Sequence, residues 1–122
     1  MTLQELYAQI DGNYEQAIRV LRVEKLMDKH IRKLTKNGVV EKLLEAAGGM
    51  GPVQMFETAH AMKGVCGNLG LSRLSEMASD IAEEFRPGNE RKMTDEAVRA
   101  EVEEIRSLYG KTAEGIRRYE EG

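Results

Sequence analysis

Apolar positions recur three and four residues apart along this chain, the spacing of helices with one buried face. Thr2 followed by Glu5 has the form of a capping box and opens a short helix to about Ile10. Asp11-Gly12-Asn13 breaks it. From Tyr14 a second helix carries Tyr14, Ala17, Ile18 and Leu21 on one face. After Arg22 the stripe changes phase to Val23, Met27, Ile31 and Leu34, which one straight helix cannot present to the same core. A bend or break near Leu21–Val23 is therefore expected.

Asn37-Gly38 ends that segment, and Val39, Val40, Leu43, Leu44 and Ala47 form another short amphipathic helix. Gly48-Gly49-Met50-Gly51 reads as a flexible turn, with Pro52 suited to the first position of the next helix. That helix spans about 52–69 and stops at Gly70. A further helix begins near Ser72, carries Leu74, Met77, Ala78, Ile81 and Phe85, and ends at Arg86-Pro87-Gly88. Thr94 is the expected N-cap of a long last helix with the stripe Val98, Val102, Ile105, Tyr109, Thr112, Ile116 and Tyr119. Short connections between such helices make neighbours antiparallel. The predicted fold is all-α: an antiparallel up-and-down four-helix bundle with additional short N-terminal helices, one domain over residues 1–122.

Composition narrows this picture. A chain of 122 residues buries one core and has no length for a second. A net charge of −3 gives no reason to expect nucleic acid or an anionic membrane as partner. Cys66 is the only cysteine, which excludes an intrachain disulfide and a cysteine metal cluster. The two histidines are far apart and lack a carboxylate pattern, so no metal site is expected. No basic, apolar leader and no membrane-length apolar run is present, so the expected setting is cytoplasmic.

Candidate chemistry concentrates between Phe56 and Gly70. On a helical wheel Met55, Ala59, Met62, Cys66 and Leu69 share one face, with Val65 at its edge, and that face is the core. His60 lies nearly opposite, with Lys63, Gly64 and Gly67 beside it one and two turns on. Neutral imidazole is a competent nitrogen nucleophile near neutral pH. Lys63 is placed to offset the charge of a phosphoryl group through charge-assisted hydrogen bonds. Each helical glycine costs roughly 1 kcal/mol relative to alanine. Two of them beside one histidine make sense as clearance for another protein closing over the imidazole.

The run His60-Ala61-Met62-Lys63-Gly64, followed by Gly67-Asn68-Leu69-Gly70 and preceded by Ala59, resembles the signature of the histidine-containing phosphotransfer (HPt) domain family. The Gly12-Asn13-Tyr14-Glu15-Gln16-Ala17-Ile18 start of the second segment and the Arg86-Pro87-Gly88 turn also look like this family, so the resemblance covers most of the chain. It implies a phosphocarrier of a two-component phosphorelay rather than an enzyme with independent turnover. His60 would be the phosphoacceptor, charged by a receiver aspartyl-phosphate or a kinase, and would pass the group to a response-regulator receiver. Lys63 would neutralise phosphate, and Phe56, Gly64, Gly67 and Asn68, with Ser79 and Glu83 on the following helix, would meet the partner; Phe56 reads equally well as partly buried against a neighbouring helix. No cofactor is implied for this chain; Mg²⁺ would belong to the receiver's acidic pocket.

One position departs from the family pattern. Many members place Gln or Glu on the following helix to orient the imidazole, and here that position is Ala82, with Ser79 and Glu83 nearby as substitutes. This favours an alternative, a non-transferring adaptor that docks a receiver or kinase; the intact His60, Lys63 and Gly64 argue against it.

The remaining candidates have ordinary readings. His30 has no comparable neighbours and reads as surface or boundary packing, Cys66 as inert core, and the Lys25–Lys36 basic run as a solvated face. No spare apolar stripe suggests a dimer, so a monomer is expected. The initiating Met1 and the polar end Glu120-Glu121-Gly122 fit a free-standing protein.

Overall fold

Local signals place the ends of the helices. In the computed structural model, which describes all of residues 1–122, the chain forms α1 (Leu3–Gln9), α2 (Tyr14–Leu21), α3 (Glu24–Leu34), α4 (Val39–Gly49), α5 (Pro52–Asn68), α6 (Ser72–Phe85) and α7 (Asp95–Glu121). Thr2 and Glu5 close a reciprocal capping box on α1. The side chains of Asn13 and Thr94 each accept an orphan amide, from Gln16 and Ala97, at the starts of α2 and α7. Pro52 opens α5, where its missing N–H costs nothing. The break expected after Leu21 is real: Arg22 has φ 76° and redirects the chain between α2 and α3.

The bundle closes as a ring, α4 against α5, α5 against α6, α6 against α7 and α7 back against α4. Helices α1 and α3 pack on α7, and α2 packs on α5. Met27, Ile31, Leu34, Met55, Met62, Met77, Ile81 and Ile105 are all buried in one core. Truncating a core side chain of this size to alanine typically costs about 2–5 kcal/mol.

Two expectations about this architecture need correction. Gly48 and Gly49 are not a turn. They complete the last turn of α4, and the chain reverses only at Met50, whose φ is 57°. Both glycines are exposed, and the helical hydrogen bond from the Met50 amide to the Ala46 carbonyl holds the backbone through them. Val23 is not part of the buried stripe of α3. It stands just ahead of the helix, half exposed, because the stripe that meets the core begins only at Met27.

Two tertiary links position the α5–α6 hairpin. Gly70 turns the chain with φ 71°, and its carbonyl accepts the Asn13 amide at 2.7 Å. A Cβ at Gly70 would lie 2.2 Å from the Asn13 carbonyl oxygen, so only glycine lets α2 seat against this turn. At the other end of α6, buried Glu84 accepts from Arg91 at 2.6 Å and from the Lys92 and Met93 amides at 3.0 and 2.9 Å. Burial alone would raise the Glu84 carboxyl, but these donors outweigh it and hold the group below its usual range. The α6–α7 connection is thereby pinned to the end of α6.

Candidate functional site

Helix α5 turns Met55, Ala59, Met62 and Cys66 fully into the core, and Leu69 follows just beyond its end. That leaves His60 on the opposite, solvent-exposed side, as the wheel requires. Burial pushes the Cys66 thiol up to about 12, so it remains a protonated packing group. His30 is exposed on α3 and lines a cleft with Lys33 and Asn68 that does not include His60.

Along α5 His60 has Phe56 one turn before it and Lys63 and Gly64 one turn after; from the end of α6 come Glu83, which feels the Lys63 charge, and Arg86, which lies over Phe56. Lys63 is half-buried and enters no ion pair of its own. Its charge acts on Glu83: the hydrogen bond from Arg86, with the charges of Arg86 and Lys63, holds the Glu83 carboxyl below its usual range. Lys63 thus stands one turn from His60 with its ammonium not committed to a carboxylate, and it can answer an added anion.

The two glycines differ. A Cβ on Gly64 would meet nothing within 4 Å, so that position is open to solvent and to anything that approaches His60. A Cβ on Gly67 would lie 3.3 Å from Ser75 Oγ on α6. Ser75 Oγ in turn donates to the Lys63 carbonyl at 3.0 Å, and Gln16 Nε2 of α2 donates to the Gly67 carbonyl at 3.1 Å. Gly67 therefore lets α6 close on α5, and its smallness has an internal reason besides clearance for a partner. Asn68 is exposed at the last turn of α5.

The position expected to carry a ring-orienting polar group stays apolar. Ala82 is 1% exposed and belongs to the core cluster. Glu83 is exposed but already engaged by Arg86 through Nη2 at 2.6 Å and Nε at 3.1 Å. What contacts the imidazole is Phe56, one turn earlier on α5. The two rings stack with centroids 5.5 Å apart and planes 20° from parallel.

Sequence reasoning missed Arg86, whose Cζ lies 5.4 Å from the Phe56 ring centroid, within cation–π reach. No signal within either helix pointed to it, because it follows from the register of the antiparallel pair. Ser75 faces Gly67, and eleven residues on along α6 and eleven back along α5 face Arg86 to Phe56.

Chemically, the arrangement is an exposed nitrogen nucleophile with a cation one turn away and a side-chain-free approach. A family model described as Hpt domain matches residues 3–109. Neither the curated proteins nor the solved structures contain a significant match to the chain.

Proposed function

The chain belongs to the Hpt domain family, the histidine phosphotransfer modules of two-component systems, and on that premise we propose that His60 carries the phosphoryl group between receiver domains. In the accepting step the His60 ring nitrogen attacks the phosphorus of a receiver's aspartyl-phosphate. An N–P bond forms, the acyl-phosphate P–O bond breaks, and the aspartate leaves as a carboxylate. The donating step is the reverse, with a receiver aspartate as nucleophile. Little covalent work falls to the bundle, which contributes position and charge.

The observation that carries this reading is the exposure of His60 beside open Gly64, with the core stripe of α5 fully buried behind it. Lys63 would offset charge on the phosphoryl oxygens, through charge-assisted hydrogen bonds worth about 1.5–3 kcal/mol each. Phe56, Gly64 and Asn68 would border the receiver, with Ser79 and Glu83 at the edge contributed by α6. Any Mg²⁺ in the transfer would sit in the receiver's acidic pocket. The chain acts as a carrier and uses its partner's catalytic groups.

The test is transfer from a receiver domain charged with acetyl phosphate, with His60→Gln as control. Label that is acid-labile and base-stable, and at least about a hundredfold lower in the variant, supports the carrier. A folded chain that binds receivers yet takes no label from several of them overturns it. That outcome would leave the adaptor reading, which the buried Ala82 favours.

A further inference from the structure

We infer that the His60 ring is oriented for transfer by stacking on Phe56, with Arg86 and Glu83 holding Phe56 in place, rather than by a hydrogen bond from the following helix. This inference rests on the carrier reading and deepens it, because it names a positioning residue for the same nucleophile.

No hydrogen bond from the following helix reaches the His60 ring, whose side-chain contact is Phe56. By the register that sets Ser75 beside Gly67, the residue of α6 opposite His60 is Ala82, a buried methyl. Neither Ser79 nor Glu83 hydrogen-bonds the imidazole: the two Arg86 donors both fall on Glu83 Oε1, and Ser75, further along, gives its hydroxyl hydrogen to the Lys63 carbonyl. The contact that remains is aromatic. Phe56 lies four residues before His60, where helical geometry sets two side chains one above the other. Its ring is stacked on the imidazole and packed against the core on its inner side.

Phe56 is itself held. The Arg86 guanidinium lies over its ring and is fixed by two hydrogen bonds to Glu83. The end of α6 that carries both residues is closed by Asn89, whose side-chain amide donates to the Glu83 carbonyl at 2.9 Å. Glu84, the next residue, is bound to the connection that follows. The stack is thus anchored to a pinned segment at each step.

The consequence is geometric. The nucleophilic lone pair of imidazole lies in the ring plane, so fixing that plane fixes the line along which nitrogen meets phosphorus. Stacking does this while leaving both ring nitrogens at an open edge. A stacked aromatic pair biases the ring orientation by roughly three- to tenfold over a free rotor. The benefit is realised only when the phosphoryl donor is itself held in place by a docked receiver. A small donor tumbling in solution meets the nitrogen from any direction.

The experiment compares the full chain with Phe56→Leu and Phe56→Tyr. Single-turnover phosphorylation is followed against receiver concentration, alongside labelling by phosphoramidate and the proton NMR shifts of the His60 ring. For Phe56→Leu we expect the plateau rate from the receiver to fall about five- to tenfold. The half-saturating receiver concentration and the phosphoramidate rate should stay within about twofold, and the upfield ring-current shift of His60 should be lost. Phe56→Tyr should restore both the plateau and the shift.

If Phe56→Leu instead raises the half-saturating concentration and keeps the plateau, Phe56 is a docking anchor and the positioning role is overturned. An unchanged His60 ring shift overturns it as well, since no stack is then present. Absence of label in the wild-type chain overturns the carrier reading, and the positioning role with it. Label in the wild type with no change in the variants overturns the positioning role alone.

Discussion

Helices α5 and α7 bury comparable apolar stripes in one core, yet their outer faces are built in opposite ways. The outer face of α7 is laced with charge: Arg106 pairs with Glu103, and Arg117 and Arg118 pair with Glu114 within the same helix. Such exposed pairs contribute only a few tenths of a kcal/mol each, but they suit a face that always meets water. The seventeen residues of α5 include just two charged ones, Glu57 and Lys63. Its outer face shows His60, an open Gly64 and a Val53 that is 60% exposed. A face poor in charge, with a helix-weakening glycine at its centre, is arranged for contact rather than for solvent. The difference teaches that residues at equal exposure on one bundle can answer to different requirements: beside His60 the helix carries a glycine where a side chain would meet nothing.

The sharpest way to break this contrast is to crowd each face in turn. Gly64→Gln adds a side chain at the open approach to His60, and transfer from a charged receiver should fall at least about tenfold. Labelling by phosphoramidate should change little, because a small donor still reaches the nitrogen. The matched change Ser107→Gln on α7 should leave both rates alone. Equal losses from the two variants would show that the faces do not differ as claimed.

A smaller effect separates the two glycines within α5. Gly64→Ala should raise stability by about 0.5–1 kcal/mol, since alanine is the better helix former and its methyl meets nothing. Gly67→Ala should gain less or lose, because the new methyl would press on Ser75 Oγ, itself bonded to the Lys63 carbonyl. Urea unfolding of the two variants decides the matter; the same gain from both would place Gly67 in open space with Gly64.

The smallest effect concerns a place where α7 covers a charge. Burial of half-covered Glu101, with Asp80 of α6 and Glu104 beside it, pushes its carboxyl from 4.5 up to about 7. A carboxyl raised in this way holds its proton longer in the fold than in the unfolded chain. Its contribution to stability is therefore greatest below about pH 4.5 and falls as pH rises towards 7. Glu101→Gln should remove that decline and stabilise the protein at neutral pH by less than about 1 kcal/mol, after solvent screening. Unfolding midpoints across pH 4 to 8 should then show a flatter profile in the variant. Parallel profiles would mean that Glu101 ionises as freely as the rest of the α7 surface.

Much of this architecture could be read along the chain because it depends on near neighbours. The capping box at Thr2 and Glu5 and the caps at Asn13 and Thr94 each involve residues three apart. The phase change after Leu21 announced the break at Arg22 for the same reason. Gly48 and Gly49 misled, because a glycine pair favours a turn only when nothing else holds the backbone, and α4 continues through them to Met50. At Gly67 the sequence left one reason unseen, since a glycine that clears space for a partner and one that also clears space for Ser75 look alike in sequence.

The sequence by itself determined the helices, the buried stripe of α5 and the exposure of His60, because a 3.6-residue period and the caps at helix ends are properties of short segments. Its motif also determined the family. Only the tertiary structure decided what touches the imidazole: Phe56 stacked upon it, and Arg86 brought over Phe56 by Glu83. Those partners come from the sliding register of α6 against α5. Interlocking side chains and the close approach of Ser75 permitted at Gly67 set that register, and no periodicity within either helix contains it.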